Sequence, residues 1–188
     1  LVVRLNEQGE RELVEMVWGL VPSWSKDGKP PGSTINAKCE TVATKPAYRG
    51  AFKSRPCLVV ADGFYEWLKI SPTEKQPYFI TTKDREPFAF AGLWERWKPI
   101  DAPPGTAPLE TFALLTCEPN AVAGQIHDRM PVMLEKKDWD AWLGTPEQRT
   151  QLMKAFPAAR MELWPVGKPV GNPRNQGPQL IKRIEVMP

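Results

Sequence analysis

The sequence has 188 residues, of which 41% are apolar and 25% are charged. These proportions are ordinary for a globular protein and exclude an intrinsically disordered chain, and the length allows one domain with a sizeable core. The formal net charge of +3 is compatible with a nucleic-acid partner but does not by itself indicate one. We therefore interpret residues 1–188 as a single domain.

Proline, tryptophan and cysteine are the informative residue types. The 21 prolines are about twice the usual share of roughly 5%, which favours short strands and shaped loops. The eight tryptophans are many for this length, and most tryptophans anchor cores or loops. Three cysteines without a Cys-x-x-Cys pair, and a single histidine, predict no disulfide framework, no metal site and no cofactor. Without a long apolar run or a signal peptide, we expect a cytoplasmic monomer with no membrane partner.

Most of the predicted elements are short strands separated by turns. Two β-rich runs, Leu1–Leu5 and Leu13–Trp18, flank a glycine-containing hairpin loop at Asn6–Glu10. Seven further runs are predicted as strands: Cys57–Ala61, Phe64–Leu68, Tyr78–Thr82, Phe88–Trp94, Thr111–Thr116, Met130–Leu134 and Met161–Val166. We predict that the third and fourth of these seven pair with each other as a hairpin.

Helical signals are fewer and lie mainly in the last third of the chain. Short helices are predicted from about Pro46 to Lys53 and from Lys136 to Leu143. Another should begin at Thr145, because Pro146 suits the first helical position and Gln148 completes a capping box. The predicted fold class is therefore α+β, a single mostly-β domain with a few short helices.

Glu66 is the first candidate for chemistry. In an extended strand, Phe64 and Glu66 point to one face while Tyr65 and Trp67 point to the other. A carboxylate among apolar neighbours tends to have a raised pKa, which suits acid–base catalysis. Taken alone, Glu66 is more simply an edge-strand glutamate paired with a lysine.

His127 and the pair Asn36 and Lys38 are further candidates. His127 is the only imidazole in the chain, and its neighbours Asp128 and Arg129 could orient it and bind an anion, respectively. Asn36 and Lys38 are two residues apart, so in an extended segment they face the same way and could hold a phosphate or a sugar oxygen. Taken alone, these are more simply a structural histidine, a turn asparagine and a solvated lysine.

The order of these segments, with several further motifs, resembles the SOS response-associated peptidase (SRAP) family. The matching motifs are Trp18–Trp24 (WGLVPSW), Asn36–Thr41 (NAKCET), Ala61–Trp67 (ADGFYEW), Phe90–Trp94 (FAGLW), Thr116, His127–Pro131 (HDRMP) and Asn172–Asn175 (NPRN). The resemblance runs through essentially the whole chain. It implies an SRAP-like fold and single-stranded DNA containing abasic sites as the partner.

The resemblance also implies a covalent chemistry. Members of this family open with Met-Cys-Gly-Arg and remove the methionine themselves, which exposes an N-terminal cysteine. The cysteine α-amine attacks the ring-opened aldehyde of an abasic site, and the thiol then closes a thiazolidine. An α-amine with a pKa near ~8 is far more reactive at neutral pH than a lysine, and the thiol traps the imine intramolecularly.

Motif position implies a role for each candidate. Glu66 would be the acid–base that activates the amine and assists methionine removal, and His127 would assist sugar ring opening and crosslink reversal. Asn36 would orient the cysteine and the deoxyribose. The implied DNA contacts are Lys38 and Arg129 to phosphates, Trp24 and Trp67 as stacking or wedge surfaces, and Thr116.

This sequence departs from the family pattern in two places. The family usually has arginine where Lys38 stands, so the charge is kept but bidentate phosphate binding is lost. The Met-Cys-Gly-Arg opening does not occur in the 188 residues, and we expect a segment upstream of Leu1 and no crosslinking by the chain as given. A non-catalytic single-stranded nucleic-acid-binding module and a peptidase acting in trans remain as alternatives.

Overall fold

The computed structural model describes residues 1–185, which form two compact units. Unit 1 consists of Leu1–Val60, Phe88–Cys117 and Pro131–Lys154. Within the described residues, unit 2 consists of Ala61–Pro87, Glu118–Met130 and residues 155–185. The interpretation of residues 1–188 as one domain stays a prediction, and residues 186–188 lie outside the described part of the chain.

Within residues 1–185, short strands outnumber short helices. The strands are β1 (Val2–Leu5), β2 (Arg11–Val14), β3 (Val17–Trp18), β4 (Asn36–Lys38), β5 (Pro56–Ala61), β6 (Phe64–Lys69), β7 (Lys75–Thr82), β8 (Phe88–Trp97), β9 (Leu109–Cys117), β10 (Met130–Pro131), β11 (Met133–Leu134) and β12 (Met161–Pro165). The α-helices are α1 (Arg49–Ser54), α2 (Trp139–Leu143) and α3 (Pro146–Leu152). Single 3-10 turns lie at Ala123–Gln125, Lys136–Asp138, Ala158–Arg160, Lys168–Gly171 and Pro178–Ile181. The predicted mostly-β α+β class is confirmed.

Unit 1 supplies most of a nine-stranded sheet. Its strand order is β10-β9-β8-β5-β1-β2, with β11 beside β8 and with β3 and β4 beside β9. The pairs β1–β2 and β8–β9 are antiparallel, whereas β3 and β4 run parallel to β9. The parallel pairing places the Trp18 and Asn36 motifs side by side along one strand.

The core of unit 1 depends on close approach of its strands and helices. Trp142 on α2 is fully buried, and its indole N–H donates to the carbonyls of Cys57 and Gly92 at 2.9 and 3.3 Å. A Cβ atom at Gly92 would lie 2.7 Å from the Cys57 sulfur, which explains why the FAGLW motif has glycine there. Thr145 caps α3 with Gln148, so the predicted capping box is confirmed.

Unit 2 contains a three-stranded antiparallel sheet in the order β12-β7-β6. A hydrophobic cluster of Phe79, Trp164 and Val166 covers one face, and Tyr65 packs against it. A Cβ atom at Gly63 would lie 2.1 Å from the Phe79 ring, so the glycine of the ADGFYEW motif allows the turn before β6 to pack against β7. The cluster therefore anchors the strand that carries Glu66.

The predicted hairpin between Tyr78–Thr82 and Phe88–Trp94 is wrong. Both segments are strands, but β7 pairs with β6 and β12, whereas β8 belongs to the nine-stranded sheet. The predicted strands Leu13–Trp18 and Met130–Leu134 are each divided in two, because their halves pair with different strands. None of the helices within residues 1–185 has the length and apolar character needed to cross a membrane.

Candidate functional site

Glu66 lies in the middle of β6, in unit 2. Its face of the strand also carries Phe64 and Leu68, both half-buried, and Phe64 lies opposite the fully buried Ile80. The carboxylate accepts a hydrogen bond from the Trp67 backbone N–H. The strand geometry thus places an acidic side chain in the mainly apolar surroundings that the alternation of β6 predicts.

Burial raises the pKa of the Glu66 carboxyl above its usual value. The positive charge of protonated His127 and the Trp67 N–H lower this pKa, and the negative charge of Asp128 raises it, but burial is the largest effect. Electrostatic interaction with both His127 and Asp128 brings the ADGFYEW and HDRMP motifs together in unit 2. A carboxyl group with a raised pKa beside an imidazole is suited to proton transfer near neutral pH.

His127 follows the Ala123–Gln125 turn, and its side chain is 44% exposed. In the neutral ring, Nδ1 accepts a hydrogen bond from the Arg129 backbone N–H at 3.0 Å. In the protonated ring, Nδ1 can donate instead to the Asp128 carboxylate at 3.1 Å. No residue between 1 and 185 hydrogen-bonds Nε2, so this nitrogen is open to a ligand in either state.

Tyr78 is a neighbour of Glu66 that the sequence did not indicate. It is half-buried and lies directly opposite Glu66 in the β6–β7 register, so the two side chains share a face. Its phenol is a hydrogen-bond donor within reach of the same region of unit 2. The predicted pairing of the Tyr78 strand with Phe88–Trp94 concealed this neighbour.

The tryptophans divide into structural anchors and exposed rings. Five indole N–H groups donate to backbone carbonyls: Trp18 to Ile35, Trp97 to Ser25, Trp139 to Leu134, Trp142 to Cys57 and Trp164 to Ile181. Trp94 lies against the guanidinium group of Arg4, whose central carbon is 4.2 Å from the ring centre.

Trp18 is 52% exposed but is held by its hydrogen bond to Ile35, whereas Trp24 and Trp67 are exposed without such an anchor. They are 56% and 37% exposed, and neither indole donates a hydrogen bond to any residue in the described part of the chain. Trp24 lies in the loop between β3 and β4, and Trp67 lies on β6. These two are the tryptophans predicted as stacking surfaces.

Trp67 projects from the face of β6 opposite to Glu66, as the alternation predicts. The ring of Trp67 and the carboxylate of Glu66 are therefore presented to different sides of the sheet. If Trp67 stacks on a ligand, it contacts a different part of that ligand from the group that contacts Glu66.

Asn36, Lys38 and Thr116 come together in unit 1. Asn36 and Lys38 are exposed on the same face of β4, and Lys38 lies directly beside Thr116 of β9 in the parallel register. Asn36 lies beside Leu114, two residues earlier on β9. In this row, Asn36 and Lys38 present an amide and an ammonium group, which are donors that bind phosphate and sugar oxygens, whereas Thr116 is buried beside them.

The predicted site residues thus form two groups, one in each unit. Unit 2 holds Glu66, His127, Trp67 and Arg129, of which Arg129 is half-buried. Unit 1 holds Asn36, Lys38, Thr116 and Trp24. In residues 1–185, no cluster of three His, Cys, Asp or Glu side chains is arranged to hold a metal ion.

A family model described as "SOS response associated peptidase (SRAP)" matches residues 1–173. This chain belongs to the SRAP family. It is 38% identical to the Bacillus subtilis (strain 168) abasic site processing protein YoqW over 182 residues, which cover 95% of this chain and 80% of YoqW. It is 33% identical to the Gallus gallus abasic site processing protein HMCES, with 96% of this chain and 60% of HMCES covered. The predicted resemblance is confirmed.

Solved structures have the same SRAP-like fold. A crystal structure of a protein from Bacteroides thetaiotaomicron matches with a TM-score of 0.82 and 25% identity, covering 98% of this chain and 80% of that one. A crystal structure of a protein from Bordetella bronchiseptica matches with a TM-score of 0.77 and 24% identity, covering 88% and 82% of the two chains. These two likenesses concern the arrangement of the strands and helices.

Proposed function

We propose that this SRAP-family chain processes abasic sites in single-stranded DNA, capturing the lesion covalently through an N-terminal cysteine upstream of Leu1. The observation that carries the proposal is the half-buried Glu66 carboxylate, which is near enough to His127 for the two charges to interact. The names of YoqW and HMCES, both abasic site processing proteins, support the substrate. The alternatives are a non-catalytic DNA-binding module and a peptidase acting in trans.

In the proposed reaction, Glu66 and His127 move protons while a cysteine supplies both nucleophiles. The Glu66 carboxylate accepts a proton from the cysteine ammonium, and the free amine adds to the C1′ aldehyde of the ring-opened sugar. His127 protonates the departing oxygen, which leaves as water and gives an imine. The thiol then adds to the imine carbon and closes a thiazolidine, so the complete reaction releases one water.

In the proposed complex, the unit 1 row and the exposed rings hold the strand. Asn36 would orient the sugar, with Lys38 and Thr116 on the adjoining phosphate. Trp24 and Trp67 would stack on bases, since every base offers a π-face to an exposed indole. Arg129 would bind a phosphate near His127.

The proposal is tested with a longer chain that begins Met-Cys-Gly-Arg and contains these 188 residues. Mixed with a single strand carrying one abasic site, it should form an adduct that survives heat denaturation. Intact-mass measurement should give the sum of protein, without its initiator methionine, and DNA, less one water. Salt-dependent binding without any adduct would favour the non-catalytic module, and Glu66-dependent cleavage of an unrelated peptide would favour the peptidase.

Lys38 allows a test of the phosphate contact in the 188-residue chain. Lys38→Arg should tighten binding to single-stranded DNA roughly threefold, because a guanidinium group can form two parallel hydrogen bonds to one phosphate. Fluorescence anisotropy with a labelled strand measures this change. Lys53→Arg on α1, also exposed in unit 1, is the matched control and should bind like the parent. Equal affinities for all three proteins would remove Lys38 from the DNA contacts.

A further inference from the structure

The Trp67 face of the unit 2 sheet carries an exposed ring outside the hydrophobic cluster. Trp67 lies directly opposite the buried Pro77 in the β6–β7 register. Its 37% exposure and its free indole N–H leave the ring available to a partner. An indole that neither packs in a core nor anchors a loop is a suitable platform for a planar group.

Two lysines lie on one side of this ring, two residues further along the sheet, in an arrangement that is unfavourable for the isolated protein. Lys69 and Lys75 lie directly opposite each other in the β6–β7 register, on the same face as Trp67, and both are exposed. Like charges in directly opposed positions destabilise a strand pair. Neither lysine forms an ion pair with any residue from 1 to 185. An anionic ligand would relieve this repulsion.

A cleft beside Trp67 offers a ligand a concave binding surface. It has a volume of about 350 Å³ and is lined by Trp67, Pro72, Thr73, Lys75, Pro77 and Lys168. Lys168 is already paired with Glu74 at 2.8 Å, and the side chains of both are more than half exposed. The unneutralised positive charge that lines this cleft therefore comes from Lys75, with Lys69 directly across from it on β6. The combination of a free ring, two unpaired cations and a cleft fits a nucleotide.

We propose that this face of unit 2 is a second nucleotide subsite, which binds single-stranded DNA flanking the abasic nucleotide. A base stacks on Trp67, and Lys69 and Lys75 bind consecutive phosphates. The inference rests on the proposed function and adds a contact on the sheet face opposite to Glu66. Single-stranded DNA is the occupant because stacking on Trp67 requires a base that is not already stacked within a duplex.

The substitution Lys75→Glu tests this subsite in the 188-residue chain. It removes one cation and engages Lys69 in a cross-strand ion pair, so two phosphate contacts should be lost. The slope of log affinity against log salt should fall by about 1.4, at roughly 0.7 for each phosphate on a single strand. Trp67→Ala should weaken binding roughly tenfold. The salt slope and the affinity are both measured by fluorescence anisotropy, in titrations of a labelled strand that contains the lesion, at a series of salt concentrations.

Two controls keep the test interpretable. Lys83→Glu makes the same charge change in unit 2 just beyond the other end of β7, about 26 Å away along the strand, and should leave the salt slope close to that of the parent. Lys75→Glu should melt no lower than the parent, because it replaces a repulsive pair with an attractive one. A loss of binding then cannot be attributed to unfolding.

The outcomes separate this inference from the proposed function. If Lys75→Glu and Trp67→Ala bind like the parent while the longer chain still forms the adduct, the subsite is overturned and the function stands. If Lys75→Glu weakens the binding of a duplex as much as that of a single strand, single-stranded DNA is the wrong occupant. If the 188-residue chain binds no single-stranded DNA and the longer chain forms no adduct, both proposals fail.

Discussion

Glu66→Gln should slow formation of the abasic-site adduct by roughly 10²–10⁴-fold, the usual range for loss of a general acid–base. The amide keeps the size and polarity of the side chain but cannot take a proton from the cysteine ammonium. The measurement is the single-turnover rate of adduct formation on denaturing gels, with the longer chain that begins Met-Cys-Gly-Arg. The same variant should retain its initiator methionine, which intact-mass measurement detects.

The pH dependence of this reaction has a defined sign. The proposed base is the ionised carboxylate, so the rate should fall as the pH falls through the Glu66 pKa. Since burial raises that pKa, the acid limb should lie at higher pH than for an exposed glutamate. Glu86→Gln, which changes an exposed glutamate of unit 2, should keep the parent profile. A parent-like rate and profile for Glu66→Gln would remove the assigned role.

Stability should change in the opposite direction to activity. A pKa raised by folding means that the stabilising contribution of Glu66 is present below its unfolded-state pKa and is lost as the pH rises through the folded-state value. Above its folded-state pKa the ionised, half-buried carboxylate therefore destabilises the fold. Glu66→Gln should melt above the parent at neutral pH, and this advantage should disappear in acid. A lower melting temperature at neutral pH would contradict the account of burial.

Arg149→Met should be the most destabilising of the substitutions considered, by about 3–5 kcal/mol, with a fall in Tm of roughly 10 °C. Arg149 on α3 is only 1% exposed. Its guanidinium group donates to the carbonyls of Gly144 at 2.8 Å, Lys53 at 3.0 Å and Trp142 at 3.4 Å. Thermal melts followed by circular dichroism measure the loss.

The size of this effect follows from where those carbonyls lie. Lys53 is in the last turn of α1, and Trp142 and Gly144 are at the end of α2, where helix carbonyls lack partners within their own helix. A cation is also favoured at the negative ends of the helix dipoles. Methionine fills the space but leaves the buried acceptors unsatisfied.

Arg11→Met is the matched control for this substitution. Arg11 also contacts α2, through an ion pair with Asp140 at 2.6 Å, but the two side chains are 40% and 90% exposed. An exposed pair of this kind contributes under about 1 kcal/mol. If Arg149→Met and Arg11→Met have the same melting temperature, the buried carbonyl contacts of Arg149 do not stabilise unit 1 as described.

Local patterns sufficed to predict the strands and the orientation of the Glu66 side chain. The alternation along Phe64–Trp67 placed Glu66 and Trp67 on opposite faces, and Thr145 with Gln148 marked the start of α3. Such features depend on a few adjacent residues. The fold class and the candidate site residues, which the family resemblance also supplied, were therefore accessible from the sequence.

Strand pairing was not accessible in the same way. The polar segment Lys83–Glu86 is typical of a hairpin turn, yet β7 pairs with β12, whose residues lie about eighty positions along the chain. The choice of partner depends on packing around Phe79 and Trp164, which no local pattern records. Arg149 is a similar case, since its partners are backbone carbonyls and its side chain resembles a solvated helix arginine in the sequence.

The measurement that tests the central claim most directly is a carbon-13 NMR titration of the Glu66 carboxyl in the 188-residue chain, with the signal assigned by its loss in Glu66→Gln. We expect a pKa above that of an ordinary glutamate, a further rise in His127→Ala and a fall in Asp128→Asn. An ordinary pKa that neither substitution changes would show that the carboxylate and the imidazole do not share one site.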